Sequence, residues 1–223
     1  MYRCTSSITP SPFTSVSGVN DESNTHTWEQ RKLSDLVADI ATGKSVNSVD
    51  GAVRPGDIGV MKTSCVSYDL FDPSEAKRVV PEERALVACP VEANTLIVSR
   101  MNTPDRVGAC GFVPATWPNL FLPDRLWRLR INEGADPYLL YLILTSEDSK
   151  GKLKGMASGT SGSMHNIPKD SFLDMEIMLP ASIAEQRMIA SQFASLDNLI
   201  TLHQRKLEVL RNLKSALLEK MFV

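Results

Sequence analysis

Residues 181–223 contain neither glycine nor proline, and this most constrains the fold. Ser182-x-x-Glu185 has the spacing of a capping box, which satisfies the first orphan amides of a helix. From there, positions alternately four and three apart read Ile189, Phe193, Leu196, Ile200, His203, Leu207, Leu210, Lys214, Leu217 and Met221. All but His203 and Lys214 are apolar, the period of a coiled-coil seam. A second stripe runs beside it through Leu199, Leu202, Val209, Leu213 and Ala216. A helix apolar over so broad an arc buries more than one face. At ~1.5 Å per residue it would be roughly 60 Å long, more than the rest of the chain can cover. A partner helix is the expected cover.

The preceding region reads differently. Residues 1–27 are rich in Ser, Thr, Pro and Asn, lack apolar periodicity, and are expected to form a flexible tail. Leu33, Leu36, Val37 and Ile40 then recur at helical spacing, with Gly43 as a stop. Short β-like runs are predicted at Ile58–Met61, Ala85–Val91, Thr95–Ser99, Val107–Val113 and Arg125–Ile131, punctuated by Pro and Gly. Asp136-Pro137 opens a helix expected to reach about Asp148, with Asp as N-cap and Pro in the first turn. A Gly/Ser/Lys loop covers 149–166, and Met175–Leu179 reads as a last strand. The expected class is α+β. A mixed domain over 28–180 follows the 1–27 tail and precedes a coiled-coil-type helix over 181–223.

Composition narrows the chemistry. Lys+Arg number 24 against 26 Asp+Glu, a net charge of −2, so contact with nucleic acid must come from a local patch rather than a basic chain. Cys4, Cys65, Cys89 and Cys110 lie far apart and, with His26, His165 and His203, offer no metal-ligand spacing. They read as reduced thiols, and no metal is expected. No apolar run spans a bilayer and the N-terminus is not a secretory signal, so a cytoplasmic protein is expected.

Ala41-Thr42-Gly43-Lys44-Ser45 resembles the end of a phosphate-binding loop. The position five before Gly43 is Ala38 rather than glycine, and the preceding pattern is not a strand, so nucleotide binding is rejected. Lys44 reads as a solvated cation or at most a phosphate contact. No nucleophile elbow, zinc-protease motif or dinucleotide turn occurs, and the chain reads as non-catalytic. Two polar sets remain. Lys150, Lys152 and Lys154 suit phosphate, and Ser161, His165 and Asn166 suit base edges. Arg100, Asn102, Thr103 and Arg106 bracket a proline turn between strands.

Several segments together resemble type I restriction–modification specificity subunits. Trp28-Glu29-Gln30-Arg31-Lys32-Leu33-Ser34-Asp35-Leu36 resembles the opening of their target-recognition domains, and Thr95–Arg100 their central strand. Gly159-Thr160-Ser161-Gly162 with Ile167-Pro168 resembles their late loop. The strongest likeness is Ile177-Met178-Leu179-Pro180 running into Glu185-Gln186 and the long helix. The resemblance implies a non-enzymatic subunit that reads half of a split double-stranded DNA site, in a half-length form with one recognition domain and one helix.

It also implies partners: adenine methyltransferase (M) subunits, a restriction (R) subunit, and a second half-specificity chain, expected to be an identical copy paired antiparallel. S-adenosylmethionine, ATP and Mg would sit on the partner subunits, and no cofactor on this chain. Dimerisation falls to Ile189, Phe193, Leu196, Ile200, Leu207, Leu210 and Leu217. DNA contact falls to Lys150, Lys152, Lys154, Ser161, His165 and Asn166, with Arg100 and Arg106 as a second group. The alternative is a truncated or silent cassette acting only as an assembly protein.

Overall fold

The computed structural model describes residues 27–67, 70–161 and 164–221; the predicted tail over 1–27 lies outside them except for Thr27. The chain opens with β1 (Trp28–Lys32), a single turn α1 (Leu33–Leu36) and β2 (Val37–Thr42). Short strands follow: β3 (Ser48–Val49), β4 (Gly59–Met61), β5 (Val66–Ser67), β6 (Leu70–Phe71), β7 (Ala76–Val79) and β8 (Pro90–Val91). Next come β9 (Thr95–Ser99), β10 (Met101–Asn102), β11 (Cys110–Val113), β12 (Trp117–Phe121) and β13 (Leu126–Ile131). The last third holds α2 (Pro137–Leu144), α3 (Glu147–Met156), β14 (Ser158–Ser161), β15 (Met164–Asn166), α4 (Lys169–Leu173), β16 (Glu176–Pro180) and α5 (Ile183–Met221).

The centre is an antiparallel sheet in the order β11-β9-β13-β2. All five residues of β9 are buried, because both faces of the sheet are covered. Leu96 and Val98 join Trp127, Leu129, Leu140, Phe172 and Ile177 in a core closed by the helices and β16. Ile97, between them in sequence, points the other way and packs with Met61, Val91 and Leu120 of the second sheet, β3-β7-β4-β12-β8, and with Leu122 just beyond it. This is the period-two alternation of a strand with two apolar neighbours. β12 runs parallel to β4, and the other pairings in that sheet are antiparallel.

The α+β class and the long final helix agree with the sequence expectation, while several local readings do not. The helix expected through Ile40 stops after one turn. Leu33 and Leu36 are fully buried, but Val37–Thr42 pairs with β13 along the sheet edge, and inter-strand hydrogen bonds outweigh helical spacing there. Ala85–Val91 is not one strand. Pro81–Leu86 forms a 3-10 turn and only Pro90–Val91 pairs. The helix expected to reach Asp148 ends at Leu144, where the backbone N–H of Thr145 closes onto the Tyr141 carbonyl.

The loop expected over 149–166 is instead helix, then hairpin. Ser146 caps α3 by accepting from the Ser149 N–H, and Glu147 and Asp148 in its first turn favour the positive end of the helix dipole. Buried Leu153 ties the helix to the core, which lysine and glycine content could not show.

Candidate nucleic-acid interface

The strand pairing brings the two polar sets together. β10, β15 and β14 form a small three-stranded sheet in which Met101 opposes Asn166 and Asn102 opposes His165. The Ile167 N–H donates to the Arg100 carbonyl at 2.9 Å, holding the hairpin to the end of β9. Gly159 permits this: a Cβ there would lie 2.3 Å from the Met164 carbonyl oxygen. Asn102 is fixed by donating to Ser99 Oγ at 3.0 Å and accepting from the Thr103 N–H at 2.9 Å, which sets the turn. The backbone of Ser161 lies on β14, while Gly162 and Ser163 lie outside the described residues.

The same end of the central sheet gathers cations from four chain segments. The N–H groups of Arg100 and Met101 donate to the Arg125 carbonyl at 3.2 and 3.4 Å, which places Arg125 beside the β9 end. Arg106 sits in the Thr103–Gly108 turn that follows β10. Lys169 opens α4 two residues beyond Ile167. Lys44 follows Gly43, whose bare Cα packs on the Leu122 backbone; a Cβ there would meet the Leu122 carbonyl oxygen at 1.6 Å. That glycine serves strand packing, and Thr42 beside it donates to the carbonyls of Asp124 and Leu126.

These cations lack the partners that others have. Elsewhere before α5, ion pairs engage Arg31, Lys32, Lys62, Lys77, Arg84, Arg128, Arg130, Lys150 and Lys152. Among the described residues Lys44, Arg100, Arg106, Arg125 and Lys169 enter no ion pair, although Asp105 and Asp124 lie in the same turns. Arg54 and Arg78 are unpaired too, but belong to the β3–β8 region. Arg100 stacks its guanidinium 6.0 Å from the centre of the Trp127 ring. Its Nε and the Oδ1 of Asn166 are buried without a hydrogen-bond partner. Arg84 Nε and Arg128 Nε are open in the same way, but among the described residues only here do an open donor and an open acceptor lie on neighbouring segments, Arg100 just after β9 and Asn166 at the end of β15, which suits a ligand carrying both kinds of group.

The lysines of α3 divide differently. Lys150 pairs with Glu147 at 3.0 Å, one turn earlier on the helix. Lys152 pairs with Asp148 at 2.8 Å and reaches the Glu176 carbonyl at 3.4 Å, toward β16 and away from the hairpin. Lys154 is exposed in the last turn. Leu153 packs on Gly108 and sets that turn beside the Arg106 loop. Sequence spacing gives no sign of Arg125, which meets Arg100 only through backbone bonds between segments distant in the chain.

The helix root is built on Gln186. It is buried, its Oε1 accepts from the Asp136 N–H at 2.9 Å, and its Nε2 donates to the Pro180 carbonyl at 2.8 Å and toward Gly134 O at 3.4 Å. Asp136 in turn caps α2 by accepting from the N–H groups of Tyr138 and Leu139. Tyr138 donates to Asp197 three turns along α5. Burial and the Asp197 carboxylate push its phenol up from the usual range. Ala190 is buried between these contacts, but from Ser195 to Met221 every residue is exposed. Leu196, Ile200, Leu207, Leu210 and Leu217 each remain about half exposed, and no described residue folds back to cover them.

The chain thus combines a two-face mixed domain, a cation-rich sheet end and a long projecting helix. Residues 25–212 match the family model for the type I restriction modification DNA specificity domain, and the chain belongs to that family. The specificity subunit of the EcoEI type I restriction enzyme of Escherichia coli is 23% identical over 166 residues, covering 74% of this chain and 28% of that protein. The crystal structure of a type I restriction-modification S subunit from M. genitalium superposes with a TM-score of 0.53 at 18% identity, over 80% of this chain and 41% of that one. A structure described as the basis of complex assembly and conformational transition of the type I system gives 0.53 at 13% identity, over 82% and 45%. These likenesses establish a shared fold. The chain spans less than half the length of each of these relatives. Among the described residues no helix is long and apolar enough to cross a membrane.

Proposed function

We propose that this chain is a non-catalytic DNA-reading unit that recognises one half of a split duplex site. The observation that carries the reading is that strand pairing brings the backbones of Lys44, Arg100, Arg106, Arg125 and Lys169, which enter no ion pair among the described residues, to the sheet end that holds the open Arg100 Nε and Asn166 Oδ1. Cations of this kind neutralise phosphates and position a domain, while Arg and Asn read base edges. His165 on the same hairpin extends the reading surface, and Lys154 on the last turn of α3 flanks it. Membership of the specificity family supports the assignment.

In this reading the bare apolar length of α5 pairs with a second copy, and the assembly recruits adenine methyltransferase (M) and restriction (R) subunits. S-adenosylmethionine, ATP and Mg are then bound by those partners, and this chain contributes specificity alone. The test is base-resolution mapping of methyladenine in cells co-expressing the chain with a type I methyltransferase subunit. A split palindromic methylated site is expected, each copy reading one identical half. A split site with unlike halves would show pairing with a different specificity chain. Absence of new methylation, with soluble protein and subunit present, would overturn the DNA-reading proposal in favour of an assembly-only role.

A further inference from the structure

The backbone just after β9 is irregular, and the irregularity decides which side chains share a face. The N–H groups of Arg100 and Met101 both donate to the Arg125 carbonyl, at 3.2 and 3.4 Å. Two successive donors on one acceptor mark a β-bulge, which puts one extra residue into the strand and shifts its alternation by one. The side chains record the shift. Asn102 Nδ2 donates to Ser99 Oγ at 3.0 Å, although residues three apart point to opposite faces of an unbroken strand. Arg100 and Met101 therefore lie on one face, and Ser99 and Asn102 on the other.

That phase places three groups together. Val98 and Trp127 pair across β9 and β13 and belong to the core closed by the helices, so Arg100, two residues beyond Val98, stands on the Trp127 side. Its guanidinium lies 6.0 Å from the centre of the indole ring, whose face attracts the charge and limits where it can lie. Asn166 is the β15 partner of Met101, so it shares the face of Met101 and Arg100. The bond from the Ile167 N–H to the Arg100 carbonyl locks this register. Of the three guanidinium nitrogens only Nε is buried and open, like Asn166 Oδ1. The two terminal nitrogens enter no ion pair among the described residues and are left to face outward.

Resting on the DNA-reading proposal above, we propose that Arg100 selects a guanine in the half-site, with Trp127 and Asn166 as positioning residues. Asn166 Oδ1 accepts from Nε when the complex forms, and the terminal nitrogens then stand as a fork of donors. In the major groove guanine alone shows two adjacent acceptors, N7 and O6. Adenine sets a donor amine beside its N7, thymine offers one acceptor, and cytosine offers a donor. Asn166 acts on the base through Arg100.

The test uses the full chain with a type I methyltransferase subunit and a pool of duplexes randomised over the site, the bound fraction being sequenced. Wild type is expected to enrich a half-site with guanine at one position. Arg100→Ala should lower the preference there about tenfold to a hundredfold, the worth of one bidentate contact, with other positions unchanged. For wild-type protein, 7-deazaguanine at that position lacks N7 and should weaken binding about tenfold; it should make no difference to Arg100→Ala. Asn166→Ala should lose preference at the same position, and Asn166→Asp, which keeps the acceptor, should retain it even where overall affinity falls. If Arg100→Ala weakens all duplexes alike and lowers the slope of log K against log salt by about 0.9, Arg100 is a phosphate contact and the proposal is overturned. Preference lost at a base other than guanine overturns it too. Asn166 variants that change a different position would show that Asn166 reads a base of its own, which ends its positioning role. A wild type that enriches no sequence overturns the DNA reading itself, whereas enrichment unaffected by Arg100→Ala overturns only the assignment of Arg100.

Discussion

Replacing Gln186 removes the fastening between α5 and the mixed domain. Gln186→Ala deletes the bonds at 2.9 Å to the Asp136 N–H and at 2.8 Å to the Pro180 carbonyl, leaving a buried donor and acceptor open. Each orphaned group costs about 1–3 kcal/mol, and some readmission of water places the sum at about 2–4 kcal/mol. For a chain of this size that lowers Tm by roughly 5–15 °C, read by calorimetry or by circular dichroism. Gln186→Glu keeps the acceptor for Asp136 but points a carboxylate at the carbonyls of Pro180 and Gly134. Burial raises the folded-state pKa of that new carboxyl above its unfolded value. Its destabilisation is therefore full at neutral pH and relieved as pH falls through the folded-state pKa, when the protonated form donates again. Gln186→Glu should approach wild type on acidification, whereas Gln186→Ala should not. A Gln186→Ala protein within about 0.5 kcal/mol of wild type, or two variants that move in parallel with pH, would refute the anchoring role.

Arg125→Ala should weaken duplex binding and lower the slope of log K against log salt by about 0.9, as loss of one phosphate contact does, whereas Lys152→Ala, already paired with Asp148, should leave the slope unchanged; anisotropy titrations at several salt concentrations separate the two. Asn166→Ala should relax specificity by about 1–3 kcal/mol at one base pair with little change elsewhere, measured by competition with single-substituted duplexes. Gly43→Ala should cost roughly 3 kcal/mol or more, because the methyl cannot occupy a point 1.6 Å from the Leu122 oxygen; urea unfolding reports it. The thiols of Cys65 and Cys110 are pushed up by burial, so iodoacetamide at mildly alkaline pH should label neither in the native protein and both after denaturation, read by mass spectrometry.

The long helix was legible in the sequence. A break-free run with a capping box and a four-three apolar repeat leaves few other structures open, because helix formation is governed by near neighbours. The Asp136-Pro137 cap and the buried run Thr95–Ser99 were legible for the same reason. The stretch after Leu36 was not. Leu33, Leu36, Val37 and Ile40 satisfy a helical spacing, yet β13 offers Val37–Thr42 a full edge of hydrogen bonds that lies far away in sequence. The lysines of 149–155 carried a local signal for polarity only, and their helix exists because Leu153 found Gly108 and Ile167.

The sequence by itself determined the class, the projecting helix, its seam, and the residue types able to meet DNA, since these follow from composition and short-range period. The tertiary structure decided which of those residues act together. Arg100, Arg106, Arg125, Asn166 and Lys44 stand at one end of a sheet because strands distant in the chain exchange backbone hydrogen bonds in one register. It also gave Gln186 its role, because a buried amide is valued only by the donor and acceptor that the fold places within 3 Å of it.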